Sequence, residues 1–370
     1  MARPLKKRPL EKRRLGKTGM EITLLGFGCI KFPHISAQQA ADALDRALDL
    51  GVNFIDTARG YRDSEEKIGP VLKRRRSEAY IATKSGQRSA AKMMADLETS
   101  LRNLKTDYLD LYQAHYVCDE ENLDKVLAPG GALEAMQKAK QQGKVRHLGI
   151  TMHCHHKAMR RAIETDLFET IMLAYSPLDH EAVAAEIIPL AAQHDMGIII
   201  MKPLMGGALV SPPDPSRPDG ADPIVAGALR AIASHPAIST VIPGMISPAQ
   251  VDANYASVTT AGSWHEAARR ELMQRIGALK VEDQMCLACG YCLPCSQGIN
   301  IPAVFRALHM HRNWSAEQSF LGRELYESLD VPADACAECK ECLARCPAGI
   351  PISDRMKEAV AAFGPRGKKK

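Results

Sequence analysis

No stretch of this chain approaches the roughly 18 consecutive apolar residues that a membrane-spanning helix needs, so no span is expected. No secretory leader is expected either: the basic start runs into Pro, Gly and charge where a long apolar segment would stand. Arg13-Arg14 has the look of a twin-arginine signal, but its only candidate apolar segment, Ile22 to Ile30, is better used as a first strand. Strong net charge is lacking as well. The balance is +5, from 48 Lys and Arg against 43 Asp and Glu, and nothing beyond basic ends favours nucleic acid. Those ends (Arg3, Lys6, Lys7, Arg8, Lys12, Arg13, Arg14 and Lys17, then Lys368 to Lys370) read as solvated tails. A docking face for an acidic redox partner is the other reading. The expected location is cytoplasmic.

What the chain does hold is core-forming material for one large domain and one small one. Its 370 residues are 46% hydrophobic and 25% charged, an ordinary globular balance. Apolar runs suited to buried strands are Leu24 to Gly28, Val52 to Ile55, Ala79 to Thr83, Tyr108 to Ala114, Val145 to Ile150, Thr170 to Ala174, Gly197 to Met201 and Ser239 to Ile242. Helical spacing falls between them: Gln38 to Leu50, Glu65 to Arg75, Ala90 to Leu104, Gly131 to Gln142, Glu181 to His194, and a helix from Pro248. Eight strands alternating with helices predict an α/β fold, a (β/α)8 TIM barrel. The Pro-rich segment Ser211 to Pro223 reads as an irregular excursion. The expected division is a basic tail over 1–12, the barrel over 13–275, a small Cys-rich helical domain over 276–360, and a basic tail over 361–370.

Three successive strand ends offer chemistry. Asp56 ends the second strand, Tyr61 follows it, Lys84 ends the third and His115 the fourth. Strand ends at one mouth are where such barrels keep their catalytic groups. A phenol has an ordinary pKa near 10, too high for acid–base work at neutral pH without help. A nearby ammonium favours phenolate, and a carboxylate paired to that ammonium holds it in place. His115 is suited to donate a hydrogen bond to a carbonyl oxygen. The bland reading makes Lys84 and Asp56 a structural pair and His115 a core histidine. Farther on, His153-Cys154-His155-His156 invites a metal. Adjacent residues in one loop rarely converge on one ion, and a pocket or helix-start loop is expected there.

The stretches "NFIDTARGY", "ATKS" and "DLYQAHYV" resemble the catalytic tetrad of the aldo-keto reductases, and "RRLGKTGMEITLLGFG" and "VIPGMISPAQVDAN" resemble that family's ends. The resemblance covers about Arg13 to Thr260. It implies Asp56, Tyr61, Lys84 and His115 as catalytic residues, a small carbonyl or alcohol substrate, and NADP or NAD as cofactor. It further implies cofactor contacts at Thr151, at Lys202, Pro203 and Leu204 in the loop over the pyrophosphate, and at Pro243, Gly244, Gln250 and Asn254. The pattern is broken in places. Gly244, Met245 and Gln250 stand where the family has Lys, Ser and Arg for a 2′-phosphate, and that group wants cations. Met152, Met172 and Met201 stand where the family has an Asn, a Gln and a stacking aromatic. Methionines cannot supply amide hydrogen bonds.

Eight of the eleven cysteines fall in two runs, Cys286, Cys289, Cys292 and Cys295, then Cys336, Cys339, Cys342 and Cys346. The second run has the C-x2-C-x2-C-x3-C-P spacing of bacterial ferredoxins; the first departs by one residue before Cys295 and by Ser296 in place of Pro. Gly-Ile-x-Ile follows both. These segments resemble ferredoxin halves and imply two [4Fe-4S] clusters, with Cys295 joining the Cys336 cluster and Cys346 the Cys286 cluster. Zinc is the competing reading, although its Cys-x2-Cys pairs usually lie farther apart. A single cluster stays open. Cys29, Cys118 and Cys154 remain as ordinary thiols, and Val304 to Leu329 reads as helical.

The whole resembles the ferredoxin-tailed branch of the aldo-keto reductases: an NAD(P)-dependent oxidoreductase with Tyr61 as general acid or base. Hydride carries two electrons and each cubane passes one, so clusters that join turnover need a flavin, a radical or a one-electron partner protein. The alternative is an electron-transfer or docking module on a barrel with weakened nicotinamide use.

Overall fold

The structure, a computed structural model, describes residues 8–117, 119–153, 156–177, 183–205, 209, 222–259, 264–278, 286, 292–313, 319–346 and 350–366. It divides into a barrel unit that ends at Arg275 and a C-terminal unit from Ile276.

The barrel unit begins with an antiparallel hairpin that the sequence reading did not assign, β1 (Lys12–Arg14) and β2 (Glu21–Thr23). Its turn needs Gly16, which sits at φ +49 with Gly197 N only 2.1 Å from where a Cβ would stand. Then come β3 (Phe27–Gly28), α1 (Ala37–Asp49), β4 (Phe54–Asp56), α2 (Ser64–Arg75), β5 (Tyr80–Ser85), α3 (Ala90–Leu104) and β6 (Leu109–Ala114). They are followed by α4 (Glu120–Leu127), α5 (Ala132–Gln141), β7 (Val145–Met152), α6 (His156–Glu164), β8 (Thr170–Ala174) and α7 (Ile188–Gln193). The unit continues with β9 (Gly197–Met201), α8 (Pro223–Ala233), β10 (Thr240–Val241) and α9 (Pro248–Val258), and α10 (Glu266–Ala278) crosses the division between the units.

Strands β3 to β10 form one parallel sheet in sequence order. Bridges Leu25 to Val241 and Gly28 to Gly244 join its first and last strands, so the sheet closes on itself. Gly28 makes that closure feasible, because a Cβ there would meet the Ile242 carbonyl oxygen at 2.8 Å. The expected barrel is the observed one. Its outer strands are shorter than expected, since Leu24 and Ser239 lie outside regular pairing.

Two apolar clusters follow from the two faces of the strands. Leu44, Val71, Leu97, Met136 and Ile163 from the helices pack on outward strand residues such as Ile55, Ile81 and Ile150. Phe54, Ala82, Leu111, Met172, Ile199, Met201 and Ile242 fill the interior, closed below by Leu15, Met20 and Ile22 of the hairpin. Helix starts are capped where the sequence allows it: Ser36 and Gln39 form a reciprocal box at α1. The helix expected over Glu181 to His194 instead comprises a π turn at Val183–Ile187 and then α7; Glu181 lies outside the described residues.

The basic tail expected over 1–12 ends sooner. Lys12 is in β1, Leu10 packs on the core, and the Arg8 carbonyl accepts from the Tyr255 hydroxyl.

The C-terminal unit carries α11 (Ile301–Asn313), α12 (Phe320–Ser328) and α13 (Ile352–Phe363). The Val304 to Leu329 stretch is therefore two helices. Ile299 and Ile301 lead into α11 as Ile350 and Ile352 lead into α13, and all four are buried in one small core with Val304, Met356 and Phe363. Tyr326 stacks on Phe363 at 4.5 Å, and its hydroxyl accepts from Ala333 N. Helix α13 and Arg366, which binds the Leu329 carbonyl, occupy part of the expected tail over 361–370.

Candidate active site and cysteine cavity

The four expected catalytic residues meet at the C-terminal ends of β4, β5 and β6. Asp56 closes β4 and Lys84 lies in β5, both buried. Lys84 Nζ donates to Asp56 Oδ2 at 2.5 Å and to the Thr57 carbonyl at 2.7 Å. Nζ lies 5.1 Å from the Tyr61 ring centroid, and the Tyr61 and His115 rings meet edge to face at 5.8 Å. The loop carrying Tyr61 is tied down by Arg59 N to the Lys84 carbonyl and by the Arg59 guanidinium to buried Glu65 at 2.7 Å. Glu65 also accepts from Thr83 Oγ1.

The electrostatics differ from the sequence expectation at one point. Burial pushes the Tyr61 phenol above its ordinary pKa, and Lys84 only opposes that rise. The phenol is thus set to stay protonated. Burial also raises the Asp56 carboxyl, with Lys84 and Gln113 opposing. Lys84 itself is pushed down by burial, but the charge and hydrogen bond of Asp56, with Tyr61 and Cys29, together outweigh this and leave it above the ordinary range. Burial and the charges of Lys84, Arg88 and Lys202 hold His115 down to about 3. A neutral imidazole keeps one N–H to donate.

The implied cofactor contacts are less uniform. Lys202 follows β9, is exposed, has a left-handed backbone (φ +55) and acts electrostatically on His115, so it belongs to the same mouth. Pro203 is buried and Leu204 half-buried beside it. Thr151 Oγ1 accepts from Tyr116 N at 2.9 Å, which fixes the loop after β6. Pro243 O accepts from Gly28 N in the barrel closure, and Gly244 is exposed. Gln250 serves the start of α9: its Oε1 accepts from Ile246 N and its N–H donates to Ser247 Oγ. Asn254 is buried on α9. Met152, Met172 and Met201 are buried, the last two inside the barrel.

Of the His153 to His156 stretch, His153 packs against the Tyr116 ring at 4.7 Å and His156 opens α6; Cys154 and His155 lie outside the described residues. Cys29 is fully buried; Cys118 lies outside the described residues.

In the C-terminal unit, Cys295, Cys336, Cys339 and Cys342 line one small, partly open cavity, with Ile299, Ile301, Ile352 and Met356 also in its wall. Three cysteines of the second run and the last of the first therefore border the same space. Cys286, Cys292 and Cys346 belong to the same core, and Cys289 lies outside the described residues. Among the described residues, no three Cys, His, Asp or Glu side chains stand close enough together to ligate one ion, so the four thiols border a common space without forming a closed ligand set.

Residues 24–269 match the aldo/keto reductase family, and residues 285–351 match the 4Fe-4S dicluster domain family. The chain belongs to the aldo/keto reductase family. It is an oxidoreductase-family barrel joined to a 4Fe-4S dicluster-type domain. The uncharacterized oxidoreductase YqkF of Bacillus subtilis is 30% identical over 218 residues, spanning 55% of this chain and 68% of that protein. L-Galactose dehydrogenase of Arabidopsis thaliana is 28% identical over 295 residues, 68% of this chain and 88% of that enzyme. Among solved structures, the holo form of an aldo-keto reductase from Bacillus halodurans superposes with a TM-score of 0.60 at 27% identity, covering 72% of this chain and 96% of its own. No helix among the described residues is long and apolar enough to cross a membrane.

Sequence reasoning passed over three side chains that shape the site: Gln113, Arg88 and Glu65. Arg88 donates to the carbonyls of His115 and Tyr116. Gln113 was open to detection, because it stands two residues before His115 on a strand and so shares its face.

Proposed function

We propose that the barrel interconverts a small carbonyl compound and its alcohol, with NADP or NAD as hydride carrier and Asp56, Tyr61, Lys84 and His115 as catalytic residues. The observation that carries this is the buried Lys84–Asp56 pair set against the Tyr61 phenol beside a neutral His115. Lys202 at the mouth and the Ser247-capped start of α9 would hold the phosphates, with Thr151, Pro203, Leu204, Pro243, Gly244, Gln250 and Asn254 around the nucleotide. When bound, the nicotinamide supplies the hydride. His115 donates its N–H to the carbonyl oxygen and orients it. Tyr61 gives its proton to that oxygen, and Lys84, fixed by Asp56, stabilises the phenolate left behind. In the reverse direction the phenolate takes the proton back.

In the C-terminal unit the reading is two [4Fe-4S] clusters. Cys295, Cys336, Cys339 and Cys342 would hold one, and Cys286, Cys289, Cys292 and Cys346 the other. The cavity lined by the first four supports it.

The buried methionines favour a second reading, since Met152, Met172 and Met201 offer no amide to orient a carboxamide. In it the barrel is an electron-transfer or docking module for a one-electron partner or a flavin. Anaerobic addition of NADPH and then NADH to the iron-loaded protein separates the two. Saturable binding by nicotinamide fluorescence, without bleaching of cluster absorbance, together with carbonyl turnover lost in Tyr61→Phe, is the expected result. Failure to bind either nucleotide overturns the first reading in favour of the second.

A further inference from the structure

Gln113 lies on β6, fully buried, one inward position below His115. Its Nε2 donates to Asp56 Oδ1 at 3.2 Å, while Asp56 Oδ2 accepts from Lys84. Its Oε1 is buried with no hydrogen-bond partner among the described residues. A buried acceptor left unpaired works against folding, so a leucine in its place would serve the core better. The fold nevertheless makes room for it. Gly149 pairs with Gln113 across β6 and β7, and a Cβ at that glycine would come within 3.0 Å of Gln113 Cγ.

We propose that Gln113 is a positioning residue of the tetrad: its amide fixes one carboxylate oxygen of Asp56 so that the other stays locked, ionised, on Lys84. This rests on the carbonyl-reductase reading above for its catalytic consequence, but not for the contact itself. Asp56 sits between β3 and β5 in the sheet and is faced from every side. Lys84 reaches it from β5 and Gln113 from β6, with the Cys29 thiol after β3 and the Tyr61 phenol in the loop after β4 also acting on the pair. Lys84 is the only cation in that group. With the Nε2–H gone, the buried carboxylate keeps one partner fewer, and its protonated form gains. A protonated Asp56 no longer anchors the ammonium that stabilises the Tyr61 phenolate. A merely structural glutamine would do none of this.

The test compares the full-length, cluster-loaded parent with Gln113→Leu and Gln113→Met. The first readout is the infrared carboxyl band that appears on acidification, assigned to Asp56 by its disappearance in Asp56→Asn. The expected result is a protonation midpoint moved to higher pH in both variants, with the thermal midpoint unchanged or raised. The second is the pH profile of carbonyl turnover. Here kcat should fall several-fold at the acid end and recover at higher pH, with nucleotide Kd unchanged. An Asp56 midpoint that stays put in both variants overturns the inference, whatever happens to activity or stability. A midpoint that moves in a protein without carbonyl turnover supports the Gln113 contact and tells against the carbonyl-reductase reading instead.

Discussion

The two units answer the same difficulty, polar groups inside a core, in opposite ways. In the barrel, each buried charge at the site meets a partner from the chain itself: Asp56 meets Lys84, and Glu65 meets Arg59 and Thr83. In the C-terminal unit, Cys295, Cys336, Cys339 and Cys342 face one another across a cavity. Four thiolates in that space repel, and bound iron turns the arrangement attractive. On the cluster reading proposed above, the difference is that the barrel holds its own geometry, whereas the smaller unit would depend on a bound group. Its core is small for its length, and small scaffolds generally need such staples.

The hardest way to break that contrast is to remove the metal. Chelation under reducing conditions, or Cys342→Ala, should release α11 and α13 to solvent while β4 to β9 keep full protection. Hydrogen exchange by mass spectrometry checks this segment by segment. Protection of α13 surviving iron loss would show that Phe363, Met356 and Tyr326 suffice, and would end the contrast.

Next in size come the partners of the barrel charges. Lys84→Met leaves the buried Asp56 carboxylate without a counter-charge, its remaining partner being the Gln113 amide, which should cost about 3–5 kcal/mol at neutral pH. Asp56→Asn added to it should restore much of the loss, as read by denaturant unfolding. Tyr61→Phe removes no charge in the resting protein, so its stability should hold while turnover falls by about 10²–10⁴-fold.

How much of this was legible beforehand depended on where each signal lives. Strand runs such as Tyr108 to Ala114, and the strand-end placing of Lys84, are local and were readable from periodicity. Cys295 borders the same space as Cys336, Cys339 and Cys342, which is the half of the cysteine exchange implied by the ferredoxin resemblance that the described residues display. Three things were not legible. The β1–β2 hairpin consists of two three-residue strands around a glycine turn, too short for periodicity. Helix α4 begins at an Asp119 cap and buries only Leu123 and Val126, too small an apolar stripe to stand out as a periodic run. The tension at Tyr61 between burial and Lys84 depends on packing, which no spacing reveals. Tails drawn from charge alone came out too long, because Leu10 and Phe363 belong to cores.

A milder probe of the barrel's self-sufficiency lies away from the site. Burial would raise the Glu169 carboxyl, but hydrogen bonds from His147, Lys140 and Leu148 N outweigh it and bring it down to about 2. A carboxyl depressed in the folded state adds stability above its unfolded pKa of about 4.3, lost as pH falls toward the folded value. Glu169→Gln should therefore lower stability by about 3 kcal/mol at pH 7 and flatten its decline between those two values. Urea unfolding across that range checks it.

The smallest effect is a flat line, and it sharpens the comparison most. His115 is held down to about 3 by burial and by Lys84, Arg88 and Lys202, against an ordinary value near 6.5. The unfolded chain then binds a proton on this residue that the folded chain refuses, so stability falls as pH drops from about 6.5 to 3. Catalysis should show the reverse insensitivity, with His115 neutral and kcat/KM free of any ionisation near pH 6.5. Lys202→Ala, which removes one of the three cations, should raise the His115 value without bringing it to the ordinary one, because burial is the larger cause. A pH–rate profile of parent and Lys202→Ala from pH 5 to 8 checks this. An inflection near 6.5 in the parent would mean that the mouth of the barrel is wetter than its geometry indicates, and that its charges are screened by water and not held by the chain.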